Sequence, residues 1–118
     1  MEVIIDTGAA VSVITNQFLE KLGIDIEESS DMYILDVNGR KKRALGIVKD
    51  IQITVQQKCK TKLKMQVTDS NTYQVILGND WLIKVYGIIN IPAEEIVLGD
   101  EELGITIKVY YKITNFGK

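Results

Sequence analysis

One short stretch of this 118-residue chain joins an ionisable side chain to the backbone freedom that a reacting group needs. Asp6-Thr7-Gly8 follows the apolar run Val3-Ile4-Ile5 and precedes Ala9 and a second apolar stretch, Val11 to Ile14. This order puts a carboxylate where a buried strand ends and a tight turn begins. Gly8 lets the backbone approach a partner closely, which a Cβ would block. The Thr7 hydroxyl can hold the turn. The remaining composition narrows the chemistry. There is no histidine and one cysteine, Cys59. The usual zinc sites and Ser-His or Cys-His nucleophiles are thereby excluded, and no metal or cofactor is expected. Any hydrolysis must run on carboxylates.

Ile4-Ile5-Asp6-Thr7-Gly8-Ala9 resembles the active-site loop of the retropepsins, the aspartic proteases of retroviruses and gypsy-type retrotransposons, and of their cellular relatives. Tyr33-Ile34-Leu35-Asp36-Val37-Asn38-Gly39, with Leu45-Gly46-Ile47-Val48 behind it, resembles that family's flap hairpin. Val75-Ile76-Leu77-Gly78-Asn79-Asp80-Trp81-Leu82 resembles its apolar-apolar-Gly motif, which leads into a short helix. A tripeptide alone arises by chance; the Ile-Leu-Gly block downstream makes the combination specific. The resemblance spans residues 2–98. It implies an all-β chain, a retropepsin-like closed β-barrel (the acid protease fold) with one or two short helices, and a homodimer. Residues 1–118 are expected to form a single protease domain, with 99–118 as a C-terminal strand extension.

Peptide hydrolysis without a metal or a covalent nucleophile needs two carboxylates. One takes a proton from water, and the other donates a proton to the carbonyl oxygen. Held about 3 Å apart, they share a proton and titrate as a pair. Asp69-Ser70-Asn71 is the nearest imitation of Asp6-Thr7-Gly8, but it lacks the Gly and the apolar lead-in. Asp36, Asp50 and Asp100 have no such context either. The second carboxylate is therefore expected to be Asp6 of another copy, across a two-fold axis.

The resemblance assigns the remaining roles. Thr7 would hydrogen-bond across the axis, and Gly8 would meet the substrate backbone. Ile4, Ala9, Ala10, Val11, Val13 and Ile76 fall at positions that line the family's substrate pockets. All are apolar, so the cleaved bond is expected between apolar or aromatic residues. The flap, comprising Val37, Asn38, Gly39, Arg40, Lys41 and Lys42, would close over an extended polypeptide and exclude water. The implied activity is an aspartic endopeptidase that processes a retroelement polyprotein. The alternative is a catalytically silent dimeric interaction module that keeps the fold.

The chain also departs from the retroviral pattern. An acidic residue after the Asp-Thr-Gly-Ala motif and an Arg after the Ile-Gly are replaced by Ala10 and Asn79, a matched loss of both charges. The flap carries four consecutive basic residues, Arg40 to Arg43, in place of several glycines. Five residues precede Asp6, so the family's N-terminal strand is expected to be missing. The stretch Ile105 to Ile113 is expected either to build the dimer sheet or to complete the barrel. Pepsin-like enzymes carry Ser or Thr at the position of Ala9, whose hydroxyl stabilises the ionised carboxylate. Without it, a mildly acidic to neutral pH optimum is expected.

The elements that must hold these residues read mostly as strands. Hydrophobic residues make up 46% of the chain and a single Pro interrupts them, which suits one folded domain. Val and Ile dominate between closely spaced turn signals, as in an all-β barrel or sandwich. Val3–Ile5 and Val11–Ile14 are expected strands. Thr15 or Asn16 can cap a short helix with Phe18, Leu19 and Leu22 on one face and Gly23 as its stop. Met32–Val37 and Ala44–Lys49 flank Asn38-Gly39, a favoured hairpin turn, while Arg40 to Arg43 is too polar for core. Ile51, Ile53 and Val55 alternate, as do Leu63, Met65 and Val67. Val75–Leu77 reads as a buried strand and Asp80 to Tyr86 as a helix closing at Gly87. Ile88–Ile91, Ile96–Leu98 and Ile105–Ile113 supply the last strands.

Lys58, Lys60, Lys62 and Lys64 alternate with less polar residues, as on a half-exposed strand whose lysines discourage edge pairing. A formal net charge of −2 and the lack of interleaved aromatics argue against nucleic acid as a partner. No apolar run approaches the roughly 18 residues of a membrane span, and no signal peptide is visible. One cysteine fits a reducing, cytoplasmic setting.

Overall fold

The computed structural model describes residues 3–35, 38–55, 57, 59–100 and 105–110, the last six and residue 100 by backbone alone. The described chain is mostly β with two short helices. Strand β1 (Val3–Ile5) runs parallel to β7 (Val75–Leu77), with Val3 opposite Val75 and Ile5 opposite Leu77. Strand β2 (Val13–Thr15) lies on the other side of β7, antiparallel to it, and continues parallel to β6 (Cys59–Thr68). β6 forms a long antiparallel hairpin with β5 (Gly46–Val55). The order is β1-β7-β2-β6-β5. The expected closed barrel is therefore not formed by the pairing. Among the described residues β1 and β5 remain the two edges of an open sheet, and the other strands pair in two separate smaller sheets.

Local chemistry explains most of the element ends. Thr15 Oγ1 accepts the Phe18 N–H at 3.3 Å and caps helix α1 (Asn16–Lys21), which stops before Gly23 at φ +71°. Leu19 is buried beneath it, whereas Leu22, expected on the same face, is 48% exposed because the helix has ended. The register of β5 and β6 shifts between Val48 and Ile51, where Asp50 adopts φ 55°. Such a bulge needs a residue that tolerates the left-handed region, and Asp does so better than most. On β6, Lys60, Lys62 and Lys64 face water while Leu63 and Met65 enter the core. Lys58 lies outside the described residues.

Two boundaries differ from expectation. The strand expected over Val11–Ile14 begins at Val13, because residues 9–11 pass close against Gly78 and the Ala9 carbonyl accepts the Asn79 N–H there. The hairpin expected as the flap pairs β3 (Tyr33–Leu35) with β4 (Lys41–Arg43), Tyr33 opposite Arg43, not with Ala44–Lys49. The basic run thus becomes a strand exposed along its whole length, which imposes no apolar alternation on the sequence. The segment from Gly46 onward is used by β5. A Cβ at Gly46 would come within 2.7 Å of the Glu28 carbonyl, where residues 26–28 pass over it.

Helix α2 (Asn79–Lys84) follows β7 directly and buries Trp81 and Leu82. Tyr86, beyond its end, is exposed. The chain then forms a three-stranded antiparallel sheet ordered β10-β9-β8 from β8 (Ile88–Asn90), β9 (Glu95–Asp100) and β10 (Ile105–Tyr110). Ile96 and Leu98 of β9 join the core, and the Gly99 N–H bonds the Val85 carbonyl at 2.8 Å. Among the described residues no helix is long and apolar enough to cross a membrane.

Candidate active site

Asp6 is the first residue after β1. Its N–H continues the ladder to the Leu77 carbonyl at 3.0 Å, and its own carbonyl accepts the Ala9 N–H at 3.2 Å, closing a turn. The turn brings the Gly8 N–H to Asp6 Oδ1 at 2.8 Å, so the carboxylate is held by the loop that follows it. A Cβ on Gly8 would stand 3.1 Å from the same oxygen. Asp6, Thr7 and Gly8 are all exposed.

A second loop crosses behind the first. The Asn79 N–H donates to the Ala9 carbonyl at 2.8 Å, and Asn79 Nδ2 donates to the Thr7 carbonyl at 2.9 Å. The position where an ion pair is lost thus carries an amide that binds the Asp-Thr-Gly loop directly, while Ala10 is exposed. Gly78 permits the crossing: a Cβ there would lie 2.6 Å from the Ala9 carbonyl oxygen and 2.8 Å from that of Val11. Behind Gly78 sits Ser12, with no exposed surface. Its hydroxyl donates to Asp80 Oδ1 at 2.6 Å and accepts the Gly78 N–H at 3.0 Å. Its N–H donates to Asp80 Oδ2 at 2.9 Å. Asp80 also accepts the Trp81 N–H at 2.8 Å, in the first turn of α2, where a negative charge suits the helix dipole. One carboxylate thereby staples the helix to the loop after Asp6.

Asp6, Ile4 and Ile76 open onto a cleft of about 630 Å³. The β3–β4 hairpin contributes Ile34, Leu35 and Lys42 to it. The opposite wall is residues 68–73, from Thr68 to Tyr73. Burial pushes the Tyr73 hydroxyl above its usual range, against a smaller opposing effect of its hydrogen bond with Ser70. Val13, expected at a pocket, is buried in the sheet opposite Gln66 and Ile76. Gly8, Ala9, Ala10 and Val11 belong to the crossing loops and do not line this cleft. Of the other expected flap residues, Asn38 and Gly39 form the hairpin turn, Arg40 and Lys41 are exposed beside it, and Val37 lies outside the described residues.

Sequence reasoning missed Ser12, Asp80 and the polar wall at 68–73. Ser12 was visible as a lone hydroxyl inside an apolar stretch, and Asp80 as an acid two residues past a glycine. Neither signal names the other. Among the described residues no group of three or more His, Cys, Asp or Glu could hold a metal ion.

A strand that ends in Asp-Thr-Gly and is crossed by an Ile-Leu-Gly loop and its helix is the arrangement of a retropepsin-like protease. The family described as "gag-polyprotein putative aspartyl protease" matches residues 1–84, and the chain belongs to it. The fold is similar to the retroviral protease-like domain of Ddi1 from Leishmania major. The TM-score there is 0.66 at 16% identity, over 97% of this chain and 86% of that one. It is also similar to EIAV protease complexed with the inhibitor HBY-793, at TM-score 0.59 and 25% identity over 75% and 79% of the two chains. A retropepsin-like aspartic protease from Rickettsia conorii gives TM-score 0.55 at 22% identity, over 73% and 64%. No curated protein matches the sequence.

Proposed function

We propose that the chain is a homodimeric aspartic endopeptidase in which each copy supplies one Asp6. The observation that carries this reading is the placement of the exposed Asp6 carboxylate, held by the Gly8 N–H at the end of β1, on the wall of a cleft large enough for a peptide. A water between the two Asp6 groups would lose a proton to one carboxylate and attack the peptide carbonyl. The other carboxyl would protonate the carbonyl oxygen. The leaving nitrogen then takes the proton gained in the first step. An extended peptide would lie in the cleft beneath the β3–β4 hairpin. Ile4, Ile34, Leu35 and Ile76 favour apolar side chains beside the cleaved bond. Membership of a gag-polyprotein protease family supports a retroelement polyprotein as substrate.

The test is cleavage of a mixed peptide library across a range of protein concentrations, with Asp6→Asn alongside. Cleavage between apolar residues that rises more steeply than linearly at low concentration, and falls at least about thousandfold in the variant, is the expected result. A protein shown to be dimeric that cleaves nothing would overturn the enzyme reading in favour of an interaction module.

A further inference from the structure

Among its described residues the β3–β4 hairpin has little buried apolar surface to hold it in place. Tyr33 and Leu35 are 62% and 64% exposed, and Lys41 to Arg43 are exposed throughout. Its attachment is polar and lies at the root. Ser30 is the hub and is only 4% exposed. Its hydroxyl accepts the Met32 N–H at 3.1 Å and donates to Gln66 Oε1 at 2.5 Å. Its carbonyl accepts Arg43 Nε at 2.8 Å, while Arg43 also meets Asp31 at 3.1 Å. The Ala44 N–H closes the root on the Met32 carbonyl at 2.8 Å.

Gln66 is equally buried, and its backbone faces the other way. Its N–H donates to the Ser12 carbonyl at 3.1 Å. Ser12 is the residue bonded to Asp80 and Gly78 behind Asp6. Hydrogen bonds linked through the covalent frames of Gln66 and Ser12 therefore connect the hairpin root to the loops behind Asp6. An apolar side chain would fill the Gln66 site without the cost of burying an amide. A satisfied buried polar network instead fixes one geometry among several of similar packing.

We propose that Ser30 and Gln66 are positioning residues that set the height and angle of the hairpin over Asp6. Neither touches the cleft. They act through the hairpin, which binds the ground state and the transition state of the peptide alike. Loosening it raises KM and spares kcat. The kinetic part rests on the peptidase reading; the structural part stands without it.

The experiment compares the wild-type chain with Ser30→Ala and Gln66→Met. Amide hydrogen exchange is read across the hairpin (33–35, 41–43) and across β2 and β6. Inhibition by a peptide with a hydroxyethylene group in place of the cleaved bond is measured alongside kcat and KM. The expected result is exchange about tenfold faster in the hairpin alone, the equivalent of one buried hydrogen bond. KM and the inhibition constant should rise about tenfold, with kcat within about twofold of wild type. Exchange that rises equally in β2 and β6, or a folded variant with an unchanged hairpin and unchanged inhibitor affinity, overturns the proposal. If the wild type cleaves no peptide, the exchange pattern alone decides this proposal, and the enzyme reading fails where that wild type is shown to be dimeric. If either core variant does not fold, Arg43→Met at the exposed end of the network must give the same hairpin-selective exchange, and its failure to do so overturns the proposal.

Discussion

Asp80 is the residue on which the candidate site leans most heavily without touching the cleft. It accepts the Ser12 N–H, the Ser12 hydroxyl and the Trp81 N–H. Removing it leaves a fully buried serine with an unmatched backbone donor. Asp80→Ala is expected to lower unfolding free energy by about 1–3 kcal/mol, the cost of buried polar groups left unpaired. Urea unfolding followed by circular dichroism measures it, and a change below about 0.5 kcal/mol would mean that water or a neighbour replaces the carboxylate. Tyr73 makes a different prediction. Its pKa in the fold is raised above the usual 10.0, so folding favours the protonated hydroxyl. That contribution is intact below pH 10 and is lost as pH climbs past it. Wild type should therefore lose thermal stability above pH 10 more steeply than Tyr73→Phe. Parallel melting curves of the two proteins between pH 9 and 11 would contradict this.

At the scale of elements, the site is a crossing of two loops, and Gly78 is its narrowest point. The Ala9 and Val11 carbonyls that a Cβ at Gly78 would meet are backbone atoms, not flexible side chains. They cannot yield without moving the turn that holds Asp6. Gly78→Ala is expected to cost about 1–3 kcal/mol of stability, as overpacking does. It should also reduce cleavage far more than the lost stability explains, because the carboxylate moves with the turn. A variant that cleaves normally at saturating folded protein would separate the crossing from the chemistry. The hairpin illustrates the opposite design. Its strands are short and wet, so its position depends on the polar root and not on packing. On the peptidase reading proposed above, a hairpin that opens and closes over a peptide would not be welded to the core by apolar burial.

For the whole molecule, the proposed reading, with one Asp6 per chain, makes activity a property of assembly. A dimer containing one wild-type and one Asp6→Asn copy has a single ionisable group at the axis. At a fixed wild-type concentration, a tenfold excess of variant should therefore suppress cleavage to about one tenth, as random pairing of equal partners dictates. Cleavage that is unchanged by the added variant at that fixed concentration would mean that each copy works alone. The three-stranded sheet after α2 matters at this scale, because it adds a layer beyond the five-stranded sheet and seats Ile96 and Leu98 in the core.

Sequence alone identified what is local. The Thr15 cap, the Gly23 stop, the Asn38-Gly39 turn, the alternation along β6 and the Asp6 turn each depend on residues a few positions apart, whose chemistry is complete in the string. The family resemblance followed from three such local blocks. Tertiary structure decided the rest, and the reason is range. Ser12 and Asp80 are 68 residues apart, and Ser30 and Gln66 are 36. Periodicity reports that a residue is buried but not which partner satisfies it. The hairpin partner was misassigned for a related reason: Lys41 to Arg43 is wet on both faces, so nothing in its pattern marks a strand. The open sheet edges are equally invisible from sequence, because strand order is set by which distant edges meet and not by the residues within any one strand.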